Sequence, residues 1–129
     1  MPYLGLTKNT LAVDDPASPY YNQLVDQSKI KDRDWRSAEK MILADDRYKW
    51  GVVVQHNFPP KPGFGSCIFL HVWKTPTTLT TGCTAMSEQD LLDIIRWLDP
   101  AQRPLLVQMP RPVYQKLRVK YDLPTLADL

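Results

Sequence analysis

Two short apolar segments on either side of a proline-rich loop constrain the fold most strongly. The first, residues 49–57, contains Trp50 and the β-branched run Val52–Val54, which favours a buried strand. The second, residues 66–73, is equally apolar. The residues between them, 58–65, contain three prolines and are therefore expected to form a loop, because a central strand excludes proline. A loop of this length predicts an antiparallel strand pair.

The segment that follows residue 86 carries the signals of an amphipathic helix. Ser87 is a candidate N-cap, and Glu88 and Asp90 would interact favourably with the positive end of the helix. Leucine and isoleucine recur at helical spacing to about residue 98, and the Asp99–Pro100 pair ends the pattern. We therefore expect one helix after residue 83.

The rest of the chain gives weaker signals. Residues 1–48 are polar and are expected to form an irregular N-terminal segment, with a short helix within residues 35–48. Residues 104–109 predict a third strand, and a short helix is expected to begin near Pro112. The expected fold class is mainly β with α (α+β), with one small, mostly antiparallel sheet in a single domain over residues 1–129.

Composition and charge exclude several classes of function. The 16 basic and 14 acidic residues give a net charge of +2, which lacks the basic excess of a nucleic-acid-binding protein. No run of 18 apolar residues is present, so no membrane span is expected. The N-terminal residues lack an apolar signal region, which predicts either a cytoplasmic protein or export by another route.

Cys83 and His71 are the residues most suited to carry chemistry. They stand 12 positions apart, with His71 near the end of an apolar strand and Cys83 after Gly82, shortly before the predicted helix. A helix N-terminus and an imidazole both lower a thiol pKa, and backbone amides near Gly82 and Cys83 would face an oxyanion. Without further evidence, the two residues are also explained as a buried structural cysteine and a histidine whose hydrogen bonds are made within the fold. That structural interpretation is the more common one.

Two other uses of the cysteines are open. One disulfide between Cys67 and Cys83 would silence the nucleophile, although two cysteines are too few for a disulfide scaffold. Zinc is the rival chemistry, because His56, Cys67, His71 and Cys83 are all competent ligands. Their spacing lacks the tight pairs of most zinc sites, so we expect no metal and no cofactor.

The sequence Gly-Ser-Cys-Ile-Phe-Leu-His of residues 65–71, followed by Thr-Thr-Gly-Cys of residues 80–83, resembles the YkuD-type L,D-transpeptidases. The resemblance is to the branch with a Gly-Ser-x-Ile-Phe-Leu-His signature, and it extends from Trp50 to Pro110, about half of the chain. Residues 14–22 and 35–39 also resemble this branch. The resemblance implies a YkuD-like fold with a catalytic core over residues 50–110.

The resemblance implies peptidoglycan chemistry without a cofactor. Such enzymes use a thiol to take an acyl group from a stem tetrapeptide, release its terminal D-Ala, and pass the acyl group to an amine or to water. Carried over to this chain, Cys83 is the nucleophile, His71 the base, and the amides of Gly82 and Cys83 the oxyanion donors. The implied location is the periplasm or the cell wall. Candidates for substrate contacts are Thr80, Thr81, Ser66, His56, Asn57 and Trp73.

The chain departs from the family pattern at three points. Thr81 stands where the family has a second histidine, Ala85 stands where it has Asn or Arg, and only eight residues separate His71 from Thr80. The family's N-terminal strands are not recognisable in residues 1–48. The chain is therefore expected to be a fragment truncated on its N-terminal side, a protein whose sheet a second chain or a homo-oligomer completes, or a compact variant.

Two other functions stay open beside transpeptidation. The same Cys–His site with water as acceptor would make an L,D-carboxypeptidase or endopeptidase, including a toxin that trims wall precursors. The second is a wall-binding module without catalytic activity that has kept the scaffold.

Overall fold

The β-branched and apolar runs of the sequence form short strands in two sheets. The computed structural model describes residues 2–126, which make a small α+β protein with two three-stranded sheets and two α-helices. In chain order the strands are β1 (Thr10–Val13), β2 (Gln23–Asp26), β3 (Ala38–Lys40), β4 (Gly51–Val53), β5 (Phe69–Val72) and β6 (Thr84–Met86). The helices are α1 (Glu88–Trp97) and α2 (Arg111–Leu117).

The first sheet occupies the region that the sequence predicts to be irregular, so that prediction is wrong. Its strand order is β2-β1-β3, with both neighbours antiparallel to β1. Residues 35–48 form β3 and one 3-10 turn (Asp46–Tyr48) instead of the predicted helix. All four residues of β1 are buried, because its two faces pack against different apolar clusters.

The second sheet has the order β4-β5-β6. β4 and β5 are antiparallel, with Val52 opposite Leu70, which confirms the predicted strand pair with shorter strands. β6 lies parallel to β5 on its other side, with His71 opposite Ala85. This parallel pairing places Thr84, the first residue of β6, opposite Leu70, and therefore brings Cys83 next to Phe69 at the start of β5.

One buried core and the side chain of Asn22 join the sheets. Ala12 of β1, Met41, Tyr48 and Phe69 of β5 form a buried cluster between them. The Asn22 amide donates to the carbonyls of residues 56 and 57, at 2.9 and 3.1 Å, and its oxygen accepts from the Cys67 amide at 2.8 Å. The N-terminal segment therefore forms part of the support for the second sheet.

Helix α1 confirms the prediction from the sequence. The Ser87 hydroxyl is the N-cap and accepts from the Asp90 amide at 3.1 Å. α1 packs against β5, and Leu91 is fully buried with no exposed surface. Since the helix has only 10 residues, its stability depends on this packing more than on its own hydrogen bonds.

We expect Leu91→Ala to lower the free energy of unfolding by about 2–5 kcal/mol, because it leaves a cavity under α1. Denaturant unfolding followed by circular dichroism measures this change. Trp97→Ala on the same helix is the matched control: Trp97 is 72% exposed, so a change within about 0.5 kcal/mol is expected. Equal losses in the two variants would contradict the packing described for α1.

Two further predictions, for the C-terminal region, are wrong. Residues 104–109 are not paired as a strand; one contact with β6 is the hydrogen bond that the Thr84 hydroxyl donates to the Gln108 side chain, at 2.5 Å. Pro104 begins the segment and Pro110 follows it; neither has an amide hydrogen to donate, and Leu105 is 89% exposed. Two helices follow Cys83 instead of one, although the expected short helix near Pro112 is confirmed as α2. Within residues 2–126, each helix is too short and too polar to cross a membrane.

Candidate functional site

Cys83 is the half-buried residue at the entrance to β6. Its thiol points toward the Cys67 carbonyl oxygen, 3.7 Å away, and its side chain packs against the core between the two sheets. Both cysteines are free thiols, so Cys83 is chemically available. The Cys67 thiol donates to the Val13 carbonyl at 3.3 Å, toward the first sheet.

Gly82 shapes the turn that presents Cys83. Its φ is +150°, and a Cβ at this position would lie 3.3 Å from Ile68 Cδ1, which explains the glycine on both conformational and steric grounds. The Thr80 hydroxyl donates to the Cys83 carbonyl at 2.6 Å and accepts a longer bond from the Gly82 amide, at 3.4 Å. Thr80 therefore holds the turn in place.

His71 is buried in β5, with 5% of its surface exposed. Its Nδ1 lies 2.8 Å from the Val72 carbonyl oxygen. A carbonyl only accepts hydrogen bonds, so Nδ1 carries the proton and Nε2 of the neutral ring has a free lone pair. The ring also packs against Tyr48, with 5.1 Å between centroids. The hydrogen bond and the packing together fix the orientation of the ring.

A cavity of about 130 Å³ brings His71 and Cys83 together. Trp73, Thr80 and Thr81, three of the predicted substrate contacts, also line it. Cys83 also lines a second cavity, of about 300 Å³. Ser66, Gly82 and Thr81 line this second space, so Thr81 and Cys83 face both cavities.

His56 and Asn57 line neither cavity and instead hold the proline-rich loop. Asn57 donates to the carbonyls of Lys61 and Gly65, each at 2.8 Å, and accepts from the Lys61 amide at 2.9 Å. His56 Nε2 lies 2.7 Å from the Phe64 carbonyl oxygen. Their contacts are therefore structural, and the predicted role in substrate binding has no geometric support here.

The predicted activation of Cys83 by the helix is also wrong. The three residues of β6 separate Cys83 from α1. A strand rises about 3.3 Å per residue, so the helix begins about 10 Å away, and the effect of a helix dipole falls off within one turn. The groups that act on the sulfur are closer ones.

Those groups leave Cys83 a thiol at neutral pH. Burial raises the pKa of Cys83; a hydrogen bond from the Phe69 amide lowers it, the Glu39 carboxylate raises it, and the Tyr48 hydroxyl lowers it, with a net upward direction. Burial likewise raises the pKa of Cys67, to about 12. A thiolate at Cys83 therefore requires a base, and His71 lines the same cavity.

Four other residues of the site carry no local sequence signal that would assign them to it. Glu39 of β3, Arg47 and Tyr48 of the 3-10 turn, and Lys74 after β5 all line the cavity with His71 and Cys83. They come from three separate parts of the chain, and the packing of the first sheet against the second brings these parts together. In residues 2–126, no three His, Cys, Asp or Glu side chains are grouped as a metal site needs.

Comparison with models of protein families, with curated proteins and with solved structures found no match to this chain.

Proposed function

We propose that this chain is an L,D-transpeptidase-like cysteine acyltransferase of the YkuD type, which acts on peptidoglycan stem tetrapeptides through a thioester. The observation that carries the proposal is the shared cavity of Cys83 and His71, in which the histidine ring is held by the Val72 carbonyl. A thiol that burial keeps protonated and an imidazole with a free Nε2 are the two partners of thiol-based acyl transfer. The sequence resemblance supplies the substrate class and a location in the periplasm or cell wall.

The proposed cycle begins when His71 Nε2 takes the proton of the Cys83 thiol. The thiolate attacks the carbonyl carbon before the terminal D-Ala, and amides near Gly82 and Cys83 hold the oxyanion. The tetrahedral intermediate then breaks its C–N bond, and His71 returns the proton to the amine of the departing D-Ala. An amine of a second stem attacks the thioester, His71 accepts the amine proton, and Cys83 regains it as the thiol.

Intact-mass spectrometry of the protein after incubation with a purified tetrapeptide stem tests the proposal. We expect an adduct whose mass equals the tetrapeptide minus D-Ala, with free D-Ala released in equal amount. Addition of a stem with a free amine should then yield cross-linked dimers. Tripeptide as the only product would show water as the acceptor, and so a carboxypeptidase; the absence of both the adduct and released D-Ala would reject the enzyme.

Two positively charged side chains in the cavity favour a substrate that carries carboxylates. Lys74 and Arg47 line the cavity beside Cys83. Arg47 Nε donates to both oxygens of Asp45, at 2.9 and 3.0 Å, which fixes its guanidinium. Lys74 forms no ion pair within residues 2–126, so its charge is available to a ligand. Stem peptides offer free carboxylates that these cations would bind.

Lys74→Ala is expected to raise KM for the tetrapeptide about 10-fold and to leave kcat within about 2-fold, because the ammonium binds the ground state and the transition state alike. Steady-state kinetics of D-Ala release separates the two constants. Lys8→Ala, which removes an exposed lysine before β1, is the control and should change neither. A fall in kcat with constant KM would instead place Lys74 in the chemical step.

The raised pKa of Cys83 and the replacements Thr81 and Ala85 favour a second candidate, a wall-binding module without catalysis. The two candidates differ in what the thiol does. An enzyme binds tetrapeptide and is acylated, whereas a module binds it equally well when Cys83 is alanine and never gains the adduct mass.

A second chain that completes the β4-β5-β6 sheet is also part of the proposal, and the mass of the protein in solution tests it.

A further inference from the structure

The Tyr48 side chain contacts the groups around Cys83 on three sides. Its hydroxyl donates to Glu39 Oε1 at 2.8 Å. Its ring meets the His71 ring at 5.1 Å between centroids and the Phe69 ring at 5.9 Å, almost edge-on. Only 9% of the residue is exposed. The ring is therefore fixed, and the hydroxyl changes partner only by rotating its O–H bond.

The rotation matters because these groups have fewer donor protons than acceptors. A phenol has one proton to donate, whereas the Glu39 carboxylate and a Cys83 thiolate only accept. Tyr48, Glu39 and Cys83 line the same cavity, and Cys83 and Tyr48 share the core between the two sheets. The Tyr48 hydroxyl can therefore donate its hydrogen bond to Glu39 or to the Cys83 sulfur, but not to both at once.

We propose that the Tyr48 hydroxyl is a donor switch, which bonds to Glu39 while Cys83 is a thiol and turns to the sulfur once His71 has removed the thiol proton. Tyr48 then stabilises the thiolate directly. Glu39 is a positioning residue, which orients the hydroxyl before the reaction and opposes early ionisation of the thiol. No bond other than S–H is broken in this step, and the proton goes to His71 Nε2.

The electrostatics around the sulfur agree with these two roles. The Glu39 carboxylate raises the pKa of Cys83, and the Tyr48 hydroxyl lowers it. Burial first, and then the bond to Glu39, raise the pKa of Tyr48 well above its usual range, so the phenol keeps its proton at any working pH. The other charged or titratable groups that line the two cavities around Cys83 are Arg47, His71, Lys74, Asp14 and Cys67.

Alkylation of Cys83 by iodoacetamide, followed from neutral to alkaline pH by peptide mass, tests the switch. Glu39→Gln removes a negative charge, so the midpoint of Cys83 reactivity should fall by about one pH unit. Tyr48→Phe removes the donor, so the midpoint should rise by about one pH unit. At a pH well below both midpoints, the two variants should differ in rate about 100-fold.

Two matched variants control for the substitutions themselves. Tyr114→Phe removes another buried phenol, which donates to the Pro124 carbonyl at 2.8 Å, and Glu88→Gln removes an acid that pairs with Lys49 at 2.9 Å. Neither residue lines a cavity beside Cys83, so neither variant should move the midpoint. A purely structural role of Tyr48 and Glu39 would shift both test variants in the same direction or in neither.

The proposal is overturned if the midpoints of Glu39→Gln and Tyr48→Phe move together or stay at the wild-type value. If Tyr48→Phe does not fold, Glu39→Gln alone decides, and an unchanged or raised midpoint rejects the switch. The inference rests on the proposed function only for the role of Cys83, and alkylation needs no substrate. Opposite shifts in a protein that forms no acyl adduct would therefore keep the switch and reject the transpeptidase.

Discussion

Cys83→Ala should abolish the acyl adduct and lower kcat/KM for D-Ala release by on the order of 10⁴- to 10⁶-fold. The variant keeps the cavity, the His71 base and the cationic side chains, so substrate should still bind. It lacks the atom that forms the thioester, and no other nucleophile of the described site replaces it. Alanine also suits the half-buried position, because the bond that the thiol donates, to the Cys67 carbonyl, is long, at 3.7 Å. Intact mass and D-Ala release measure the two effects.

Cys67→Ala is the matched control, since Cys67 is the other free thiol and lines the second cavity beside Cys83. Its thiol donates to the Val13 carbonyl, and its raised pKa, about 12, makes it a poor nucleophile. This variant should form the adduct at the wild-type rate. An adduct that survives Cys83→Ala and disappears in Cys67→Ala would exchange the roles of the two cysteines.

The correct predictions from sequence concern features whose signals are local. Ser87 and the acidic residues after it mark the start of α1, and the apolar spacing marks its length. The β4–β5 pair follows from two apolar runs across a loop that prolines exclude from a sheet. Each of these features lies within about 25 consecutive residues, so periodicity and turn chemistry are sufficient to find it.

The wrong predictions concern contacts between distant segments. β1, β2 and β3 have only three or four residues each, and β2 and β3 each contain two polar residues, so the sequence shows no clear strand pattern for them. Residues 104–109 have a strand-like composition, but they are not paired as a strand in the structure. The site shows the same limit: Glu39 and Tyr48 reach Cys83 only because the first sheet packs on the second.

His71→Ala should lower kcat for D-Ala release by about 10²- to 10⁴-fold at neutral pH, the usual contribution of a general base. The raised pKa of Cys83 determines how this loss depends on pH. Below that pKa the thiol keeps its proton, and without His71 only hydroxide or water can remove it. As the pH rises toward the pKa, the thiolate forms without a base, so the variant should recover part of its rate. A pH–rate profile of wild type and variant measures this recovery.

His56→Ala is the control that distinguishes the loss of the proposed base from the loss of a histidine elsewhere in the protein. Its ring holds the Phe64 carbonyl at 2.7 Å in the proline-rich loop and lines neither cavity, so this variant should keep the neutral-pH rate and the wild-type pH profile. A deficit in His71→Ala that stays constant at alkaline pH would mean that His71 acts by binding substrate and not by removing the thiol proton. A deficit that narrows as the pH rises, in His71→Ala alone, is the result expected of a proton acceptor for Cys83, because alkali ionises the thiol in place of the histidine during the release of D-Ala.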